Sequence, residues 1–161
     1  DHRDLHSFPT RRSSDLDPQI IHFSGHGGGD QGLIFEDNLG NSKLIDGDAL
    51  AGLLKLFADK IACVVLNGCY SAVQAKAIAC HIPYVIGMNQ AIDDRAAIAF
   101  AVGFYDALGA GRDIEFAYKL GCAALGLEGI AEDLTPVLLK CSNTKTTTLH
   151  PSQDQIGRAH V

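Results

Sequence analysis

Two short strings carry residue types that can do covalent chemistry, Ser24-Gly25-His26-Gly27-Gly28 and Asn67-Gly68-Cys69-Tyr70-Ser71. A cysteine attacks carbonyls as its thiolate, and a neighbouring imidazole can take the thiol proton and later hand it to a leaving group. His26 and Cys69 stand 43 positions apart, so only the fold can bring them together. Each string closes an apolar run, Gln19-Ile20-Ile21-His22-Phe23 in one case and Ile61-Ala62-Cys63-Val64-Val65-Leu66 in the other. If these runs are neighbouring parallel strands joined by a right-handed helical crossover, both strings lie beyond the same carboxyl edge of one sheet, where open α/β sheets place their sites. Gly27 leaves room for a scissile carbonyl. The main-chain N–H groups of Gly27 and Cys69 are the expected oxyanion donors. A helix starting at about Tyr70 adds a field favourable to the thiolate.

Other candidates carry weaker signals. Asp93 and Asp94 follow the strand-like run Tyr84-Val85-Ile86-Gly87-Met88. An acid there can recognise a basic substrate side chain before the scissile bond, or it can cap the next helix, and both readings stay open. Asp30 and Glu36, near His26, are lesser candidates of the same kind. His22 precedes His26 by four positions, but a zinc-binding His-x-x-x-His pair needs a helix, so His22 reads as a strand residue supporting the site and no metal is expected. Gly28, Gly29 and Gly32 lack the Gly-Lys-Ser/Thr that follows in a phosphate loop. The run His26-Gly27-Gly28-Gly29 is similar to the oxyanion string of lipases and esterases, but Cys69 has no closing glycine two residues on, as a nucleophile elbow requires.

The elements that must position the pair follow from periodicity. Leu33-Ile34-Phe35-Glu36, Asn38-Leu39-Gly40-Asn41 and Lys43-Leu44-Ile45 read as a hairpin standing off the main sheet. Leu50, Leu53, Leu54 and Phe57 repeat at helical spacing behind a cap at Asp46 or Asp48. The run ending at Leu66 is apolar throughout, as a strand buried on both faces should be. An Ala-rich helix to about Cys80 follows, then Pro83 opening a strand over residues 84–88, helices over 97–108 and 114–125 with Asp113 as a cap, and a last strand over 136–139. Strands alternating with helices predict an α/β fold with a mostly parallel sheet.

Composition narrows the function classes. Hydrophobic residues make up 47% and charged residues 20%, ordinary for a globular domain. The net charge of −6, with no basic run outside the termini, argues against nucleic acid as a partner. No apolar run approaches a membrane span, so no membrane partner is expected. Cys63, Cys69, Cys80, Cys122 and Cys141 have neither metal nor disulfide-framework spacing. They read as reduced, implying a cytoplasmic setting, with all but Cys69 packed as core thiols. The ends stand apart. Ser13-Ser14-Asp15 can be encoded TCT-TCC-GAT, whose reverse complement encodes Ile156-Gly157-Arg158. Residues 1–16 and 155–161 thus resemble translated sequencing-library adapters flanking one partial domain over 17–141 and a polar tail over 142–154. A strand starting so soon after that junction leads us to expect that upstream strands are missing.

The strings His22-Phe23-Ser24-Gly25-His26-Gly27-Gly28 and Asn67-Gly68-Cys69-Tyr70-Ser71-Ala72 resemble the signature pair of the CHAT domain, a branch of the caspase, metacaspase and separase clan of cysteine peptidases. Residues 84–121 and Thr135-Pro136-Val137-Leu138-Leu139-Lys140 are similar to the family's later strand, paired helices and closing strand. The resemblance implies a three-layer caspase-like fold and a cysteine endopeptidase, regulated in a signalling or defence setting. It further implies His26 as catalytic histidine, Cys69 as nucleophile, Gly27 as oxyanion donor, a protein or peptide substrate, and no cofactor. Upstream repeat or adaptor modules are implied in the full-length protein. A catalytically silent caspase-like interaction module is the alternative reading on the same fold.

Overall fold

The computed structural model describes residues 19–130 and 135–142. Both adapter-like segments and all but the first residue of the polar tail lie outside the described residues. In chain order the elements are β1 (Ile20–Ser24), a hairpin of β2 (Leu33–Glu36) and β3 (Ser42–Ile45), α1 (Gly47–Lys55), β4 (Cys63–Asn67), α2 (Ala72–Ile78), β5 (Tyr84–Met88), α3 (Asp94–Gly109), α4 (Ile114–Leu127) and β6 (Pro136–Lys140). The main sheet has the order β1-β4-β5-β6, with the first three strands parallel and β6 antiparallel to β5. The hairpin forms a separate two-stranded sheet, as its sequence predicts.

Alternation along the central strand builds the two cores. All five residues of β4 are buried. Val64 and Leu66 pack in one cluster with Val85, Leu50 and Leu54 of α1, and Ile78 of α2. Cys63 and Val65 pack in the other with Ile86, Met88, Phe100 and Phe104 of α3, and Leu125 of α4. Fully burying one such aliphatic or aromatic side chain is worth about 1.5–3 kcal/mol, so the sheet is held from both faces. On the second face α3 and α4 approach closely: a Cβ on Gly103 would lie 2.9 Å from the Leu120 carbonyl oxygen, and one on Gly121 would lie 2.7 Å from the Phe100 ring. The result is a three-layer α/β architecture with a mostly parallel sheet, consistent with a caspase-like fold.

The helix boundaries depart from the sequence reading for local reasons. Asp46, not Asp48, caps α1, its carboxylate accepting from the N–H groups of Asp48 and Ala49. The helix ends at Lys55, and Phe57 packs from the following turn, donating its N–H to Leu54. α3 begins at Asp94 rather than Ala97 because Asp93 accepts from the N–H of Ala96. Asp113 caps α4 as expected. No helix among the described residues is long and apolar enough to cross a membrane.

Candidate active site

β1 and β4 run in register from Ile20 opposite Cys63 to Ser24 opposite Asn67. Their ends are therefore level, and His26 and Cys69 each stand two residues beyond the last pair. The loops they occupy are pressed together. A Cβ built on Gly27 would lie 1.8 Å from the Cys69 carbonyl oxygen and 3.2 Å from its nitrogen, and one on Gly68 would lie 2.8 Å from the Gly25 carbonyl oxygen. Only glycine fits at Gly27, because the obstacle is main chain and cannot rotate away. The loop carrying His26 is braced from outside: Ile34 donates to the His26 carbonyl at 3.1 Å and Gly28 donates to the Gly32 carbonyl at 2.8 Å. These bonds leave the N–H of Gly27 without a partner among the described residues, and the N–H of Cys69 has none among them either.

The thiol is half-buried and engaged by Ile92, whose N–H donates to Sγ and whose carbonyl accepts from it, both at 3.4 Å. The imidazole of His26 is exposed and makes no hydrogen bond to the thiol. The turn after β4 is longer than expected. α2 begins at Ala72 rather than about Tyr70, and Tyr70 takes a left-handed φ of 56°. Such a backbone costs a non-glycine residue about 1–2 kcal/mol. It is held by the bond from the Tyr70 N–H to the Gln90 carbonyl, and by Ser71, whose Oγ donates to Leu66 and accepts from Met88. Cys69 consequently sits three residues short of a helix of one or two turns, and the main chain around it replaces the helix field as its polar environment.

Asp93 and Asp94 are exposed and directly follow Ile92, on the β5 side of Cys69. Asp93 spends its Oδ1 on capping, at 2.7 Å from the Ala96 nitrogen, while Asp94 begins the helix. Asp30 lies in a single 3-10 turn over Gly29–Gln31 and Glu36 at the end of β2, both exposed. His22 is a strand residue, as read, but it faces α3: its Nδ1 is 2.8 Å from the Tyr105 hydroxyl and the rings stack 5.6 Å apart. Burial lowers the pKa of His22 and pushes the Tyr105 phenol up to about 12. Burial likewise pushes the Cys63 thiol up to about 12, which marks it as a packing residue, whereas Cys80, expected in the core, is exposed just beyond the end of α2, its Sγ donating to the Lys76 carbonyl. Sequence reasoning missed Ile92, Ser71 and Gln74. Ile92 acts through main chain and leaves no signal in its side chain. Gln74, buried on α2, donates to the Gly29 carbonyl at 2.7 Å and so ties the Cys-side helix to the His-side loop; a glutamine within an Ala-rich helix was the available signal. Asn67 donates to the Ala97 carbonyl, leaving its buried Oδ1 without a partner.

A mostly parallel sheet with helices on both faces, a histidine loop after one strand and a cysteine loop after its neighbour define a caspase-like domain. The CHAT domain family model matches residues 10–119, which include both loops, and the chain belongs to that family. A curated relative from an unknown prokaryotic organism, named Roc-COR-CHAT protease, is 28% identical over 114 residues, covering 67% of this chain and 11% of the relative. The chain thus spans a small part of that relative's length.

Proposed function

We propose that this domain is a cysteine endopeptidase in which Cys69 attacks a peptide carbonyl and His26 protonates the leaving amine. Water then hydrolyses the thioester, with His26 accepting its proton. The observation that carries this reading is the pair of N–H groups, on Gly27 and Cys69, that have no partner among the described residues, where two loops cross beside the thiol that follows the central strand β4. Donors fixed before the reaction, aimed where a carbonyl oxygen gains charge, supply the largest electrostatic contribution in acyl transfer. His26 is exposed and its ring has no partner among the described residues, which leaves it able to reach a bound substrate, and catalytic hydrogen bonds are commonly long in unliganded sites. Asp93 and Asp94 offer acidic contacts to a basic substrate side chain on the β5 side. No cofactor enters the scheme. The setting we infer is a regulated protease of the cytoplasm, acting in signalling or defence within a longer protein that carries adaptor modules, in keeping with the composite name of the relative.

One observation favours the silent interaction module: the thiol is paired with Ile92 and not with His26. Labelling with a series of peptide acyloxymethyl ketones separates the two readings. Labelling lost in Cys69→Ala and slowed in His26→Ala supports the peptidase. A folded chain that no peptide in the series labels at Cys69 supports the module.

A further inference from the structure

We infer that the cleft between the His26 loop and the hairpin receives a branched aliphatic side chain of the peptide substrate, at the residue whose carbonyl Cys69 attacks. This deepens the peptidase reading and rests on it. The cleft has a volume of about 50 Å³. Phe23, Leu33, Phe35 and Leu66 form its apolar wall, and the lining continues into His26 and Gly68, the residues that flank the loop crossing. Leu33 and Leu66 belong to the buried core and the rings of Phe23 and Phe35 meet edge to face at 5.7 Å, so the wall is fixed before any ligand arrives. Among the described residues neither a carboxylate nor a lysine or arginine lines it, and His26 is the one titratable group there.

Chemistry and size then select the occupant. A charged side chain placed there would meet no carboxylate, lysine or arginine among the described lining residues, only the polar groups of Ser24, His26 and Asn67, and would lose its water against the apolar wall, which is unfavourable. A water needs about 10–15 Å³ on this measure, so the cleft holds roughly three to five water-sized groups. That fits valine, leucine or isoleucine and excludes an indole. The sheet order β1-β4-β5 puts the cleft on the β1 flank of Cys69 and the acids of residues 93–94 on the β5 flank. One peptide crossing the site can therefore place an aliphatic residue in the cleft and a basic one against the acids without competition between them.

The test uses the full chain and acyloxymethyl ketones that differ only in the residue before the ketone: valine, leucine, phenylalanine, lysine or aspartate. The expected result is that valine and leucine probes label Cys69 at least about tenfold faster than lysine or aspartate probes. Truncating one wall residue, Phe35→Ala, should move the preference about tenfold from valine toward phenylalanine. Phe23→Leu enlarges the same wall from the β1 side and should move it in the same direction should Phe35→Ala not fold. Labelling of Cys69 that prefers lysine or aspartate, or that ignores the side chain, overturns the aliphatic subsite and leaves the peptidase reading intact. Absence of labelling by every probe in a folded chain overturns both together.

Discussion

Gly27→Ala is the sharpest single test of the loop crossing. The added Cβ would stand 1.8 Å from the Cys69 carbonyl oxygen and 2.9 Å from its carbonyl carbon, against a floor of 3.0 Å for real contacts. Both obstacles are main chain, so one loop must move by about 1.2 Å to clear the oxygen. Overpacking of this kind costs about 1–3 kcal/mol of stability. The displaced atoms include both proposed oxyanion donors, and a misplacement of about 1 Å in such a site costs on the order of 100-fold in rate. Gly52→Ala is the control: it lies on α1 with nothing within 4 Å of the new Cβ, and should stabilise by about 0.5–1 kcal/mol. The assay pairs thermal unfolding with the second-order rate of Cys69 labelling by a peptide acyloxymethyl ketone. A Gly27→Ala chain that unfolds at the wild-type temperature and is labelled within about threefold of the wild-type rate, well inside the expected loss, would refute the close crossing. Loss of stability alone, with labelling unchanged, would retain the crossing and refute its role in catalysis.

Three further outcomes follow from the same geometry. Cys63, with its thiol pushed up to about 12 and no exposed surface, should resist iodoacetamide in the folded chain, whereas half-buried Cys69 should be modified; mass mapping that finds Cys63 first would show the β4 register to be wrong. Because burial lowers the pKa of His22 from its ordinary 6.5, the unfolded chain binds this proton more readily than the folded one. Its contribution to stability is fully present above 6.5 and declines as pH falls from there through the lower folded value, so denaturant unfolding should show a shallower pH slope in His22→Gln, and an unchanged slope would remove His22 from the account. Asp93→Ser retains an N-cap and should unfold within about 0.5 kcal/mol of wild type, while Asp93→Ala should lose about 1 kcal/mol; if neither Asp93→Ser nor Asp94→Asn weakens labelling by probes carrying a lysine, the two acids serve the helix alone.

Much of this architecture was legible because it rests on side-chain patterning. A continuous apolar run marked β4, alternation with turn residues marked the hairpin, and Asp113 announced α4. The level strand ends that bring His26 and Cys69 to one edge follow from a parallel pair with a helical crossover, which periodicity also shows. What the sequence hid is written in main chain. Tyr70 has no composition signal for a left-handed φ, and the delay of α2 to Ala72 depends on that residue. The grip of Ile92 on the thiol uses an N–H and a carbonyl that every non-proline residue possesses. Asp93 was ambiguous for the opposite reason, since the same carboxylate suits a cap and a substrate contact; the bond to Ala96 satisfies the first role without occupying both oxygens.

The state of the Cys69 proton joins these points. In the described structure the thiol donates to the Ile92 carbonyl and receives the Ile92 N–H. Once the thiol proton is transferred, the Ile92 N–H can still donate to the sulfur, but the Ile92 carbonyl oxygen faces it with no proton between them. A sulfur that has given up its proton is no longer held to that oxygen, and β4 has β5 on one side and β1, whose loop carries His26, on the other. In the proposed mechanism, approach of the sulfur to His26 and loss of its bond to the Ile92 carbonyl are a single rearrangement of one side chain. Replacing the thiol by Cys69→Ser leaves a hydroxyl that can hold the Ile92 carbonyl more tightly, through a shorter and stronger hydrogen bond. Cys69→Ser should accordingly protect the segment around Ile92 from amide hydrogen exchange relative to wild type, and Cys69→Ala should expose it. Equal exchange in all three chains would mean that Ile92 does not hold the thiol in place.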